Sequence, residues 1–306
     1  MKRLILLFIL CMASQSVIAI PGYWVVTEDD PFLKDKSGLS KITLFYYAYE
    51  TRFNKEQKDL VFEKQFKLSK DGNIIQEDEN DHTENRVTRN VYVYDSNDRI
   101  VEERLVIRES IYFTTVRYEY DGNLSIEKHY GLNGLDSQDN RSFDDQGRQV
   151  ERTSFDRDGK VLSSYKTDYE TDKIIEDGYD PDGNPQSQEI TYLKGGKPTK
   201  REDSWNGALS KTILYLYGED GSLSQEVGTD ESGAELFKVS YSYAGTNVAS
   251  KRLTNADGTE YLTEYTYDTN GRLLALKHSV RVDKFGKTYF ETDYSIEREH
   301  GLVDDY

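Results

Sequence analysis

The stretch YTYDTNGRLLALK, residues 265–277, decides how the whole chain is read. Tyr265 and Tyr267 stand two residues apart, so on a β-strand both rings leave the same face. Asp268, Asn270 and Gly271 spell a turn, and Leu273 and Leu274 open a second apolar run. An Asp or Asn side chain bonds to the backbone two residues on, and Gly enters positive φ without steric cost. One such segment is a hairpin. Many of them make an array, and function then has to be sought on surfaces rather than in a catalytic motif.

The segment recurs. Tyr92 and Tyr94 lead into DSNDRIV, Tyr118 and Tyr120 into DGNL, and Phe143 into DDQGRQV. Phe155 precedes DRDGKVL, Tyr179 opens YDPDGN, and Tyr192 precedes KGGK. Tyr215 and Tyr217 lead to GEDGSL, and Tyr241 and Tyr243 to AGTNV. From Tyr94 the anchors Tyr120, Phe143, Tyr169, Tyr192, Tyr217, Tyr243 and Tyr267 follow at 26, 23, 26, 23, 25, 26 and 24 residues. Further turns fall halfway between them, so the unit is two strands, each closed by a turn. The fold class expected is all-β: an extended array of antiparallel β-hairpins in a twisted or coiled sheet. A single hairpin buries too little to stand alone, whereas stacked neighbours pack their rings across strands, each pair contributing about 0.2–1 kcal/mol. On this reading the tyrosine hydroxyls stay hydrated. NKEQKDLVFEKQF, residues 54–66, is the best helical candidate and is read instead as a turn followed by a strand.

The first residues read differently. Lys2 and Arg3 precede the apolar run LILLFIL, and Val17 and Ala19 occupy the small-residue positions of a signal-peptidase site. Residues 1–19 are therefore expected to be a signal peptide cut after Ala19. A retained anchor is the alternative, disfavoured because the run is short for a bilayer. Leu10 before Cys11 breaks the lipoprotein pattern. Residues 20–65 read as an N-terminal capping segment with the first strands, 66–295 as the array, and 296–306 as a tail.

Cys11 is the only cysteine, so the exported chain would hold no disulfide. Net charge is −17, and loss of Lys2 and Arg3 leaves 37 − 56 = −19. Such a surface repels nucleic acid and anionic lipid and favours basic partners. Mean hydropathy is −0.77 and the strands carry charges on both faces, which argues against a lipid-exposed barrel. With 24 tyrosines and 12 phenylalanines the chain is far too aromatic to be a disordered tail.

The phrase YxYDxxGRL, carried by Tyr265, Tyr267, Asp268, Gly271, Arg272 and Leu273, resembles the YD repeat of bacterial RHS-type proteins. SFDDQGRQVERTSFDRDGKVL, residues 142–162, is a second match, and the resemblance covers roughly residues 66–295. It implies an exported sheet of hairpins that can coil into a shell and serve surface interaction or toxin delivery. The chain has fewer repeats than RHS toxins and ends YSIEREHGLVDDY without their core motif. Cargo enclosure and self-cleavage are therefore not carried over.

No nucleophile elbow, phosphate-binding Gly loop or Cys–His pair is present. With 56 acidic residues, any carboxylate pair proposed as a glycosidase site has almost no specificity. His82, His129, His278 and His300 are scattered, none at zinc-ligand spacing. DRDGK and DPDGN resemble the start of a calcium loop, but Gly follows the second Asp at once, as a hairpin needs. No cofactor is expected, and calcium at Asp156 with Asp158, or Asp180 with Asp182, is the alternative. Rings on a sheet face can grip a partner, which singles out Tyr215, Tyr217, Tyr241, Tyr243, Tyr265, Tyr267 and Trp205, with Trp24 as an end cap.

Two functions survive: a non-catalytic, periplasmic or secreted protein that binds a basic protein as scaffold or toxin neutraliser, and a carbohydrate binder using an aromatic ladder. Intact mass of the exported protein tests the processing. It should begin, unlipidated, at Ile20; a diacylglyceryl-modified species beginning at Cys11 would sink that assignment.

Overall fold

A computed structural model describes residues 36, 38–52, 55–108, 111–282 and 287–300. The proposed signal peptide, Ile20 and Trp24 lie outside the described residues. Among the described residues, twenty strands follow one another without a helix between them. They are β1 (Leu39–Arg52), β2 (Lys55–Leu68), β3 (Ile74–Asp81), β4 (Arg86–Tyr94), β5 (Ile100–Arg108), β6 (Ile111–Asp121) and β7 (Leu124–Gly131). Next come β8 (Gly134–Phe143), β9 (Gln149–Asp156), β10 (Val161–Tyr169), β11 (Lys173–Tyr179), β12 (Pro185–Lys194), β13 (Lys197–Trp205) and β14 (Ala208–Tyr217). The last are β15 (Leu223–Asp230), β16 (Glu235–Ala244), β17 (Asn247–Asn255), β18 (Glu260–Tyr267), β19 (Leu273–Val282) and β20 (Lys287–His300). Most of the helical candidate, 55–66, lies in β2.

Every strand pairs antiparallel with its neighbour in sequence, and β1 also pairs with β20, Ile42 opposite Arg298 and Leu44 opposite Ile296. The hairpin array is therefore a closed barrel without a free edge. Closure also gives the sheet two unequal faces, because side chains converge on the concave side and diverge on the convex one. Val116, Ile213 and Val239 are buried, and so are Thr167, Arg201, Glu226 and Thr263. Cross-strand register puts these residues on the face of the tyrosines, which is thereby the inner one. The densest apolar cluster lies where the barrel closes: Ile42, Leu44, Phe66, Leu68, Leu276 and Ile296, from β1, β2, β19 and β20.

Turns after even-numbered strands gather at one end, the tyrosine rim, and turns after odd-numbered strands at the other, the far rim. At the tyrosine rim each letter of the repeated phrase has a task. The second tyrosine reaches back across its hairpin neighbour and donates to a carbonyl near that strand's start. Tyr94 bonds Ile74 (2.7 Å), Tyr120 bonds Ile100 (2.8 Å) and Tyr169 bonds Gln149 (3.1 Å). Tyr217, Tyr243 and Tyr267 do the same to Pro198, Leu223 and Val248 at 2.8–2.9 Å. These hydroxyls, expected to stay with water, are held by the chain because the strand stagger brings a carbonyl under each ring.

The Asp that follows caps the turn. Oδ1 of Asp268 accepts from the N–H groups of Asn270 and Arg272, each at 2.8 Å, and Gly271 sits at φ +79°. Asp95 and Asp144 repeat this geometry. In the Asp95 turn Asp98 takes the left-handed position at φ +58°, which explains how DSNDR keeps the turn without Gly. The Arg that closes the phrase folds back on the Asp and stacks on the next repeat. Arg99 binds Asp95 through Nε and Nη2 and lies 4.3 Å from the Tyr120 ring centre. Arg148 pairs with Asp144 and lies 4.2 Å from the Tyr169 ring centre. Each such stack contributes about 0.5–1 kcal/mol at an exposed site.

Replacing Gly271 by Val should lower stability by about 1 kcal/mol or more, because a β-branched residue resists its φ and a Cβ there would stand 3.2 Å from Asn247 Nδ2. Asp268→Ala should cost less, since it removes only an acceptor at an exposed turn. Urea midpoints of the two variants decide, and equal negligible shifts would refute this account of the turn.

Candidate functional site

The inner face carries a belt of tyrosines and ionised groups. The first tyrosine of the phrase donates to a carboxylate on the strand before it: Tyr92 to Glu77 (3.0 Å), Tyr118 to Glu103 (2.7 Å) and Tyr241 to Glu226 (2.6 Å). Glu176, Arg201, Glu226 and Lys251 follow one another at 25 residues, and Arg152 precedes Glu176 by 24, so the odd-numbered strands present a row of charges. Buried Arg201 lies between Asp203 (3.0 Å) and Glu189 (3.5 Å), and Lys64 reaches Glu77 (2.7 Å). Burial pushes the carboxyls of Glu103, Glu176 and Glu189 up, and it pushes the phenols of Tyr92, Tyr118 and Tyr241 up strongly.

Glu176 and Glu189 face each other across β11 and β12. Thr167 bonds Glu176, and Arg201 lies beside Glu189.

A second cluster went unnoticed in the sequence. Glu127, His129 and Asp139 bring one ligand atom each within 4.8 Å of one another. Glu127 and His129 share a strand face, and register sets Asp139 opposite Glu127. His129 Nε2 stands 3.0 Å from Glu127 and 3.9 Å from Asp139. Arg141 lies 2.7 Å from Glu127, Arg152 lies 3.3 Å from Asp139, and Ser154 donates to Asp139. Asp139 and Glu127 together hold the His129 ring protonated, its pKa raised to about 9. Two carboxylates thus meet an imidazolium and two guanidiniums. The motif Glu-x-His on one strand face was the available signal, but its third member depends on register.

On β17 and β19 the belt holds Lys251 and His278. The Lys251 ammonium lies 5.8 Å from the Tyr241 ring centre, and burial lowers its pKa. His278 Nδ1 is 2.8 Å from Thr263 Oγ1. Burial and then the Lys251 charge bring its pKa down to about 4.

The aromatic residues singled out from the sequence divide between these places. Tyr215, Tyr241 and Tyr265 are half-buried in the belt, and Tyr217, Tyr243 and Tyr267 close the tyrosine rim. Trp205 stands apart at the far rim, 47% exposed. The Asp–Gly turns weighed for calcium use Asp156 and Asp180 as turn caps, each accepting two backbone N–H groups.

Trp205 has company. Among the described residues, nine of the twelve exposed large apolar side chains lie in a far-rim turn or within two residues of one. Val87, Ile111, Tyr112, Leu132 and Leu162 belong to β4 through β10, and Trp205, Leu209, Leu236 and Tyr261 to β13 through β18. The sequence showed these residues singly; only the fold gathers them at one end.

No protein-family model matches the sequence, and no curated protein matches it. Among solved structures the chain is similar to a porin-like protein from Bacteroides uniformis ATCC 8492, with 12% identity, 86% of this chain and 98% of that one covered, and a TM-score of 0.43. It is also similar to part of the TcdB2-TccC3 complex, with 12% identity, 82% of this chain and 19% of that one covered, and a TM-score of 0.27. At such low TM-scores neither likeness carries an argument about what this chain does.

The two inner histidines predict opposite pH dependences. His129, raised in the folded state, contributes stability that is complete below pH 6.5 and lost as pH rises through about 9. His278, lowered to about 4, costs stability as pH falls from 6.5 towards 4. Urea midpoints across pH should therefore lose the alkaline slope in His129→Gln and gain acid tolerance in His278→Gln. Parallel curves for the wild type and both variants would refute the two assignments.

Proposed function

We propose that this chain is a non-catalytic, exported β-repeat protein of the bacterial envelope that binds another protein through its exposed surface. The observation that carries this reading is the contrast between the two regions just described. Ionisable groups of the belt face neighbours in the same wall, Tyr with Glu, Arg with Asp and His with both carboxylates, as a structural network does. Large apolar side chains, in contrast, stand exposed together at the far rim, and clustered exposed apolar surface is what association sites use.

Both faces of the wall are charged. Arg89, Lys166 and Glu264 point outward, while Lys64, Glu103 and Arg201 point inward, and charges on the outer face count against a lipid-facing barrel. The repeated phrase resembles the YD repeat, and a shell of such hairpins in the envelope suits scaffolding or the neutralising of a secreted protein. A precursor charge of −17 favours a partner with a basic surface and speeds encounter with it.

A pull-down from the native envelope at low and high salt tests this function. A specific protein should be retained at low salt and released several-fold at high salt, since screening shortens to about 3 Å at 1 M. Recovery of a neutral glycan alone, with salt-independent affinity, would instead establish the carbohydrate-binding alternative.

A further inference from the structure

The far rim is not uniform. Around β11 to β18 its four turns, residues 180–184, 206–207, 231–234 and 256–259, contain Asp180, Asp182, Glu231 and Asp257 and no Lys or Arg. Asp180 and Asp257 are occupied as turn caps. Asp182 and Glu231 are exposed and enter no ion pair among the described residues. Between these carboxylates rise Trp205, Leu209, Leu236 and Tyr261. Strands lie about 4.8 Å apart, so the five spacings from β13 to β18 set Trp205 and Tyr261 roughly 24 Å from each other along the rim. That span matches the width of one side of a standard protein interface, about 800 Å².

We infer that this arc is the docking surface for the protein partner, and that the segment it receives is basic and carries apolar side chains of its own. The inference rests on the protein-binding function proposed above and adds its location and chemistry. Charge chooses between possible occupants. A second copy meeting this arc with its own would set carboxylate against carboxylate, and an anionic membrane would be repelled before the apolar residues could enter it. A basic segment gains from the same carboxylates, because their potential steers it in while Trp205 and Tyr261 supply aromatic anchors of the kind that dominate binding energy.

Photocrosslinking in the native envelope tests the site. The probe p-benzoylphenylalanine is placed at Leu209 or Leu236 on the arc, and at Leu214 or Leu216 on the outer wall, all exposed positions. The two arc positions should yield a protein adduct whose contact peptide is net positive, and the two wall positions should not. The double substitution Asp182→Lys with Glu231→Lys should cut adduct yield several-fold without moving the thermal midpoint, since both side chains are exposed. Equal adducts from arc and wall, an acidic contact peptide, a dimer of this chain or a lipid adduct would each overturn the inference. If the salt-dependent pull-down recovers a protein but neither arc position crosslinks to it, the site assignment fails while the function stands. If no position crosslinks and no protein is recovered, the function itself fails.

Discussion

One hydrogen bond sets the level of this barrel: a phenol hydroxyl that donates to a carbonyl near the start of the preceding strand. It is made by Tyr94, Tyr120, Tyr169, Tyr217, Tyr243 and Tyr267, always at the same rim. A strand that slipped by one residue would turn that ring to the other face and lose the bond, so register is specified in each of these six repeats, whereas Tyr192 donates to Glu202 instead. The Asp cap and the Arg stack then become possible, because both depend on the next ring arriving at the right height. Phe143 keeps the ring on β8 but has no hydroxyl, so that hairpin must hold its register through the Asp144 turn and the backbone ladder.

The belt extends the same logic to charge. Acid and base alternate along the inner wall closely enough that Arg201 can be buried between Asp203 and Glu189, and His129 can stay protonated between its two carboxylates. Buried ion pairs of this kind are weak sources of net stability, but removing one partner leaves the other stranded at a cost of several kcal/mol. The belt thus fixes which repeat sits beside which, a task that identical tyrosines cannot perform. Other carboxylates, Asp182 and Glu231 among them, stand in exposed turns, where they are available to a partner.

Much of this was legible in the sequence, and what was not has a common cause. The Tyr-x-Tyr pairs, the Asp–Gly turns and their 23–26-residue spacing specified antiparallel hairpins in order, because each signal is local. Closure was not legible: Ser40 Oγ donates to the Glu299 carbonyl across 259 residues, and nothing local in either strand announces the other. The cluster of Glu127, His129 and Asp139 was missed for the same reason, since its third member arrives by register between strands. So too the far-rim apolar residues read as scattered until the alternation of turns brought them to one end.

Closure by β1 against β20 also constrains how such a chain can change. An open stack of repeats can gain or lose a unit at its end and keep every remaining contact. A ring has no end to edit. Adding or deleting one two-strand unit would alter the circumference, the tilt of every strand and the curvature under every ring, all at once. The number of repeats is therefore a property of the whole and not of any segment. Variation has to enter by substitution on the rims, where side chains can differ from turn to turn without disturbing the count.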